Sequence, residues 1–217
     1  MLAVALFVID AILIVIHIIA FNLAQGFDFT LRAKFNFDAD RTIPEFWGSL
    51  QIAAMVAILV YVWLKRRQPV LLAWAVVFCV LIVDDLGRLH ENAGWRIAGL
   101  LDYNEIAGID ASDVGELIVY AVIGVGSLTA AAITHRISDA PARRISWICL
   151  GITFVLAFFA VVVDQVGSGL TEITNWNVPI VEDGGELLVI TAGLIYLARR
   201  TITAGKPGTA GAAAPMP

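Results

Sequence analysis

Ten acidic side chains, Asp84, Asp85, Glu91, Asp113, Glu116, Asp164, Glu172, Glu182, Asp183 and Glu186, stand at or near the ends of apolar runs, and the only cationic or titratable basic groups beside them are Arg88, Arg96 and His90. An uncompensated carboxylate in hydrocarbon costs at least roughly 2.5–3.5 kcal/mol. Arg88 can neutralise one or two of them through its planar fork. The rest must be protonated, hydrated or bound to a cation. Oxygen-rich sets joined by a histidine suit hard or borderline divalent ions such as Mg, Ca, Mn, Fe or Zn. The metal-ligand set read from the sequence is therefore Asp84, Asp85, His90, Glu91, Asp113, Glu116, Asp164, Glu172, Asp183 and Glu186, with Asp10, His17 and Arg88 as secondary candidates. The expected cofactor is a divalent metal cation of unspecified identity. Competing explanations are ordinary ones: Asp113 and Asp183 favour the positive end of a helix dipole, Glu172 and Glu182 are loop residues in water, and His17 is a satisfied buried histidine.

The spacing of these groups repeats. Val83-Asp84-Asp85-Leu86-Gly87-Arg88 is matched by Val163-Asp164-Gln165-Val166-Gly167-Ser168, each followed by an acid (Glu91, Glu172) and a tryptophan (Trp95, Trp176). Asp113-Val114-Gly115-Glu116-Leu117 is likewise matched by Asp183-Gly184-Gly185-Glu186-Leu187. The unit is a helix, an outer connection and a returning helix, used over 70–134 and again over 145–200. Both copies would cross in the same direction, as parallel repeats about an axis along the membrane normal. Asp84, Arg88 and Glu91 fall on one face if the helix continues through them, and Asp113/Glu116 and Asp183/Glu186 are i,i+3 pairs. Glycines 87, 115, 167, 184 and 185 remove side chains beside the acids, which lets helices approach.

The elements that must carry these groups are membrane helices. The chain is 59% hydrophobic and only 15% charged, with mean hydropathy +0.85, and this excludes a soluble domain. A crossing helix needs about 20 mostly apolar residues. Runs of that kind cover 2–22, 46–64, 70–89, 114–134, 145–167 and 181–198. The expected fold is an all-α polytopic membrane protein of about six transmembrane helices, one domain over 1–200, whose last four helices form the two repeat pairs. An aromatic-rich outer segment over 24–46 reads as interfacial, and the Gly/Ala/Pro tail over 201–217 reads as disordered. With about 1.5 Å of rise per residue, the paired acids come out in the outer third of a hydrocarbon layer about 30 Å thick. His17 reaches a similar level, and Asp10 lies two turns below it on the same face.

Basic residues set the orientation. Lys65, Arg66 and Arg67, then Arg136, Arg143 and Arg144, then Arg199, Arg200 and Lys206 follow the second, fourth and sixth runs. They place both termini in the cytoplasm of a multi-pass inner-membrane protein, with connections around 24–45, 91–112 and 168–182 outside. Asp10 within the first run, and the lack of a basic leader, favour an uncleaved helix. Cys79 and Cys149 lie inside runs, form no C-x-x-C pair and read as packing residues.

Three histidines are too few for histidine-rich membrane oxygenases, and no histidine follows Ser168 to activate it as a serine nucleophile. The inner halves of the later runs hold few polar groups, which points to an outward-opening metal or cation site, serving a metal-dependent membrane enzyme. The alternatives are a proton- or cation-coupled transporter using Asp10 and His17, and an accessory subunit whose acids meet a membrane-protein partner. Expected partners are the lipid bilayer and a lipid-soluble or periplasmic small molecule, with no nucleic acid.

Overall fold

A computed structural model describes residues 1–22, 33–37, 39, 41–101, 105–106, 109–163 and 178–204. In chain order these form α1 (Leu2–Asn22), α2 (Ile43–Arg66), α3 (Pro69–Gly87), α4 (Leu89–Leu101), a minimal antiparallel ladder of β1 (Glu105–Ile106) and β2 (Ile109–Asp110), α5 (Ala111–Arg136), α6 (Ala140–Ala157) continuing as a π-helix (Phe158–Val163), and α7 (Val178–Ala204). In the ladder Glu105 pairs with Asp110 and Ile106 with Ile109. Five segments, Leu2–Ala20, Ile43–Arg66, Pro69–Gly87, Ala111–Arg136 and Ala140–Val163, are long and apolar enough to cross a membrane. The architecture is that of a helical membrane protein. The sixth expected run lies within α7, a 27-residue helix that also carries Glu182, Asp183, Glu186, Arg199 and Arg200.

Local chemistry sets the boundaries. Thr42 and Glu45 form a capping box at the start of α2, where the Glu45 carboxylate accepts from the Arg41 and Thr42 N–H groups. Pro69 opens α3 at a position whose N–H needs no partner. Asp139 caps α6 by accepting from the Ala142 N–H at 2.8 Å. Arg67 and Arg88 end α2 and α3 in the left-handed conformation.

Helix α4 replaces the connection expected over 91–112. At Arg88 (φ 49°) the backbone turns left-handed and its N–H closes onto the carbonyls of Asp84 and Asp85. Asn92 Nδ2 then donates to the Arg88 carbonyl at 2.7 Å. Because the helix stops there, Asp84, Arg88 and Glu91 do not share one continuous helical face. Asp84 turns to His90 instead, while Arg88 pairs with Glu91.

The apolar core lies between α2, α3, α6 and α7, with Met55, Leu59, Trp74, Phe78, Cys149 and Leu197 among its best-buried side chains. Cys149 is a packing residue as expected; Cys79 is exposed. Helix α1 packs on α7 through a stripe of Leu6, Asp10, Leu13, His17 and Ala20, all buried, while the rest of its surface is largely exposed hydrocarbon. That i,i+3/i+4 stripe carries both ionisable residues of α1, Asp10 and His17.

At one end of the bundle two basic turns are joined. The Asp139 N–H donates to Gln68 Oε1 at 2.8 Å and the Val70 N–H to Ser138 Oγ at 3.3 Å. One turn deeper, Trp74 Nε1 donates to Ser146 Oγ at 2.8 Å, and that hydroxyl lies 3.0 Å from His135 Nδ1.

Glycine sets close approaches at two places beside the acidic residues. A Cβ on Gly115 would stand 2.4 Å from the Gly94 carbonyl oxygen, so α4 and α5 touch backbone to backbone. A Cβ on Gly185 would fall 2.5 Å from the Phe159 ring, where the π-helix meets α7. Of the glycines singled out in the sequence, 115 and 185 act this way, 87 and 184 make ordinary contacts, and 167 lies outside the described residues. Gly115→Ala must move a backbone and is expected to cost about 1–3 kcal/mol, lowering the thermal midpoint of the detergent-purified protein. Gly124→Ala, in open space on the same helix, is expected to leave it unchanged or raise it. Equal midpoints for both variants would contradict the backbone contact.

Candidate functional site

The corner where α3 hands over to α4 assembles the densest chemistry. The left-handed turn at Arg88 folds the start of α4 back over the last turn of α3, so that Asp84 becomes a cap for the new helix. Its Oδ1 accepts the His90 backbone N–H at 2.9 Å and its Oδ2 lies 3.1 Å from His90 Nδ1. Asp84 is 6% exposed, so both oxygens are committed inside the protein. The His90 ring stacks on Tyr120 of α5, with centroids 4.8 Å apart and planes at 25°. Its other nitrogen, Nε2, is directed toward Glu91 Oε1 at 3.9 Å.

Glu91 in turn receives Arg88, which is half-exposed. The Gly94–Gly115 contact brings the first turns of α5 against α4, so that a Cβ on Gly94 would collide with Glu116 Cγ. Glu116 is thereby held close enough for its charge to act on His90. Sequence reasoning listed Gly115 but missed Gly94, whose spacing within a short connecting segment carries no periodic signal.

A second group lies next to the first. Ser49 of α2 donates to Asp85 Oδ2 at 3.3 Å. Glu45 and Asp84 are the carboxylates whose fields reach Asp85, and Asp85 and Glu182 act in turn on Glu186. Asp113 stands in the first turn of α5, where the Ser112 hydroxyl donates to it at 3.4 Å, in the dipole-favoured position expected of a helix N-terminus. Asp183 lies in the second turn of α7. Asp164 and Glu172 lie outside the described residues. Among the described residues, no three His, Cys, Asp or Glu side chains already converge as a metal-holding group.

Asp10 and His17 have other partners. Asp10 has no solvent exposure and accepts from Trp47 Nε1 at 2.9 Å, Gln51 Nε2 at 3.3 Å and the Thr191 hydroxyl at 2.6 Å. These donors come from α2 and α7, and nothing in the one-dimensional pattern links residues 10, 51 and 191. His17 Nδ1 accepts the Phe37 N–H at 3.1 Å, and the Phe37 ring packs edge-on against it. A histidine held by a backbone N–H is the satisfied buried histidine weighed in the sequence.

The Asp84–His90 pair has a pH consequence. Burial opposes charging of the imidazole, but the Asp84 hydrogen bond and the charges of Asp84, Glu116 and Glu91 outweigh it, and the His90 pKa stands above its ordinary 6.5. In metal-free protein the pair then contributes stability that is fully present below the ordinary histidine pKa and is lost as pH rises through the raised folded value. Thermal midpoints measured from pH 6 upward are expected to fall across that window in the native chain, and the His90-dependent part of the fall to vanish in His90→Gln. An identical pH profile for both proteins would contradict the pairing.

No curated protein and no solved structure matches the chain. Residues 2–200 match the family model described as Domain of unknown function (DUF8692), and the chain belongs to that family.

Proposed function

We propose that the chain is a multi-pass membrane protein whose acid-rich end, facing outward, binds a divalent cation at the corner formed by α3, α4 and α5. The observation that carries this reading is the Asp84–His90 pair. A histidine that ligates a metal commonly gives its other ring nitrogen to a carboxylate, which fixes the tautomer and aims the free nitrogen. Asp84 occupies Nδ1 in this way and leaves Nε2 toward Glu91, with Glu116 held alongside. Asp84 therefore serves as the orienting residue, while His90 Nε2, Glu91 and Glu116 are the ligands. Binding requires Glu91 to exchange Arg88 for the cation and His90 to release its proton.

Asp85 and Glu186 supply further oxygens from the neighbouring group, and Asp164 and Glu172 supply the equivalents from the second copy of the repeat. In this arrangement six helices cross, 70–134 and 145–200 are parallel copies, and the joined basic turns face the cytoplasm. A cation so placed can polarise a lipid-soluble or periplasmic substrate, or activate water upon it.

Titration of chelator-treated, purified protein with Zn²⁺ and with Mn²⁺ tests the reading. About one ion per chain is expected to bind, and Asp84→Asn to weaken it about 10- to 100-fold. His90→Gln and Glu116→Gln are expected to abolish it. Binding that is undiminished in all three variants would remove the site.

A second reading rests on Asp10, a fully buried carboxylate that joins three helices. An ionisable group at such depth marks an ion or proton pathway by default, and this favours a proton- or cation-coupled transporter. In sealed vesicles, flux driven by a pH or cation gradient is expected in the native chain and to be lost in Asp10→Asn. Absence of flux in the native chain under every gradient tried would leave the first reading alone.

A further inference from the structure

A groove of about 650 Å³ runs along the outside of the bundle between α3 and α5, closed at its basic end by the last turn of α2. Its walls are Val76 and Val80 on α3 and Val122 and Gly126 on α5, with Trp63 and Arg67 at the basic end. Arg67 is exposed, and its guanidinium lies over the Trp63 ring, 5.1 Å from the centroid. Lys65 and Arg66 adjoin it.

Length, polarity and charge each limit what can lie there. From Pro69 to Val80, both in the wall, the helical rise amounts to about 16 Å, close to half of a hydrocarbon layer roughly 30 Å thick. The groove thus has the reach of one leaflet, the depth of a single acyl chain. Its walls along that length are apolar apart from the Ser127 and Thr134 hydroxyls of α5, and its positive charge is confined to one end, beside a tryptophan of the kind that sits at the membrane interface. Basic residues gathered at the mouth of an apolar cleft between helices are the electrostatic complement of an anionic lipid head group.

We propose that this groove is a binding site for one anionic phospholipid, with an acyl chain along Val76, Val80, Val122 and Gly126 and its phosphate on Arg67. The site is separate from the acidic corner and does not depend on cation binding there. Two glycines of α5 allow filling of the groove to be told apart from a change elsewhere on the helix surface. A Cβ on Gly126 or on Gly124 meets nothing within 4 Å, so a larger side chain fits at either position, but only Gly126 lines the groove. Gly126→Leu fills the chain's path; Gly124→Leu makes the same chemical change away from it.

Native mass spectrometry of the detergent-purified full chain, titrated with dioleoyl phosphatidylglycerol and separately with dioleoyl phosphatidylcholine, tests the proposal. The native protein and Gly124→Leu are expected to hold one phosphatidylglycerol, and to hold it more tightly than phosphatidylcholine. Arg67→Gln is expected to weaken phosphatidylglycerol about fivefold, the loss of one basic contact, and to weaken phosphatidylcholine, whose choline already offsets its phosphate, by less. Gly126→Leu is expected to lose both lipids with its helical circular dichroism intact. Equal binding of the two lipids by native protein would overturn the proposal, as would indistinguishable Gly126→Leu and Gly124→Leu variants. So would a dimer of the native chain that Gly126→Leu dissociates, since the groove would then hold a second copy.

Discussion

A carboxylate removed from water must be given hydrogens, and at Asp10 that requirement holds three helices in place. Helix α1 presents hydrocarbon on most of its circumference, so apolar contact alone prefers no rotation about its axis. Asp10 removes that freedom. Its oxygens must reach Trp47 and Gln51 on α2 and Thr191 on α7 together, and only one azimuth of α1 allows this. Leu6, Leu13, His17 and Ala20 follow it inward because they share its face. Breaking one member of such a set costs more than a single hydrogen bond, since the remaining groups stay buried and underserved.

The acidic corner uses the same rule with a different geometry. Asp84 is satisfied by the chain that follows it, through the left-handed turn at Arg88, so the donor arrives six residues later instead of from another helix. The turn costs some strain at a non-glycine residue. In return it brings the His90 imidazole onto Asp84 and sets Glu91 against Arg88. Close packing at Gly94 and Gly115 then decides how near Glu116 stands. Charge, backbone turn and glycine contact are thus one local arrangement.

Much of this was legible in the residue pattern and some was not. Apolar runs of spanning length appear as helices because hydrocarbon leaves a backbone few other ways to satisfy itself. Asp10 and His17 do share a buried face, as a seven-residue step implies. Reading α3 through Arg88 failed because a left-handed stop at arginine has no compositional mark, unlike one at glycine. Asp84 was singled out for its charge and depth, but its partnership with His90 depends on that stop. The donors around Asp10 were beyond reach for another reason: Gln51 and Thr191 look like isolated polar residues until the tertiary packing joins them.

The two ends of the bundle are built unlike each other. At the basic end, successive turns are bonded directly across helices, by Asp139 to Gln68 and Val70 to Ser138, with Trp74 and Ser146 repeating the tie one turn further in. At the acidic end the groups that meet are mostly alike in sign, and they repel. The bundle is thus tied by paired donors and acceptors at its base and brings like charges together at its mouth. When the bundle loosens, the contacts at the mouth are therefore expected to part before those at the base.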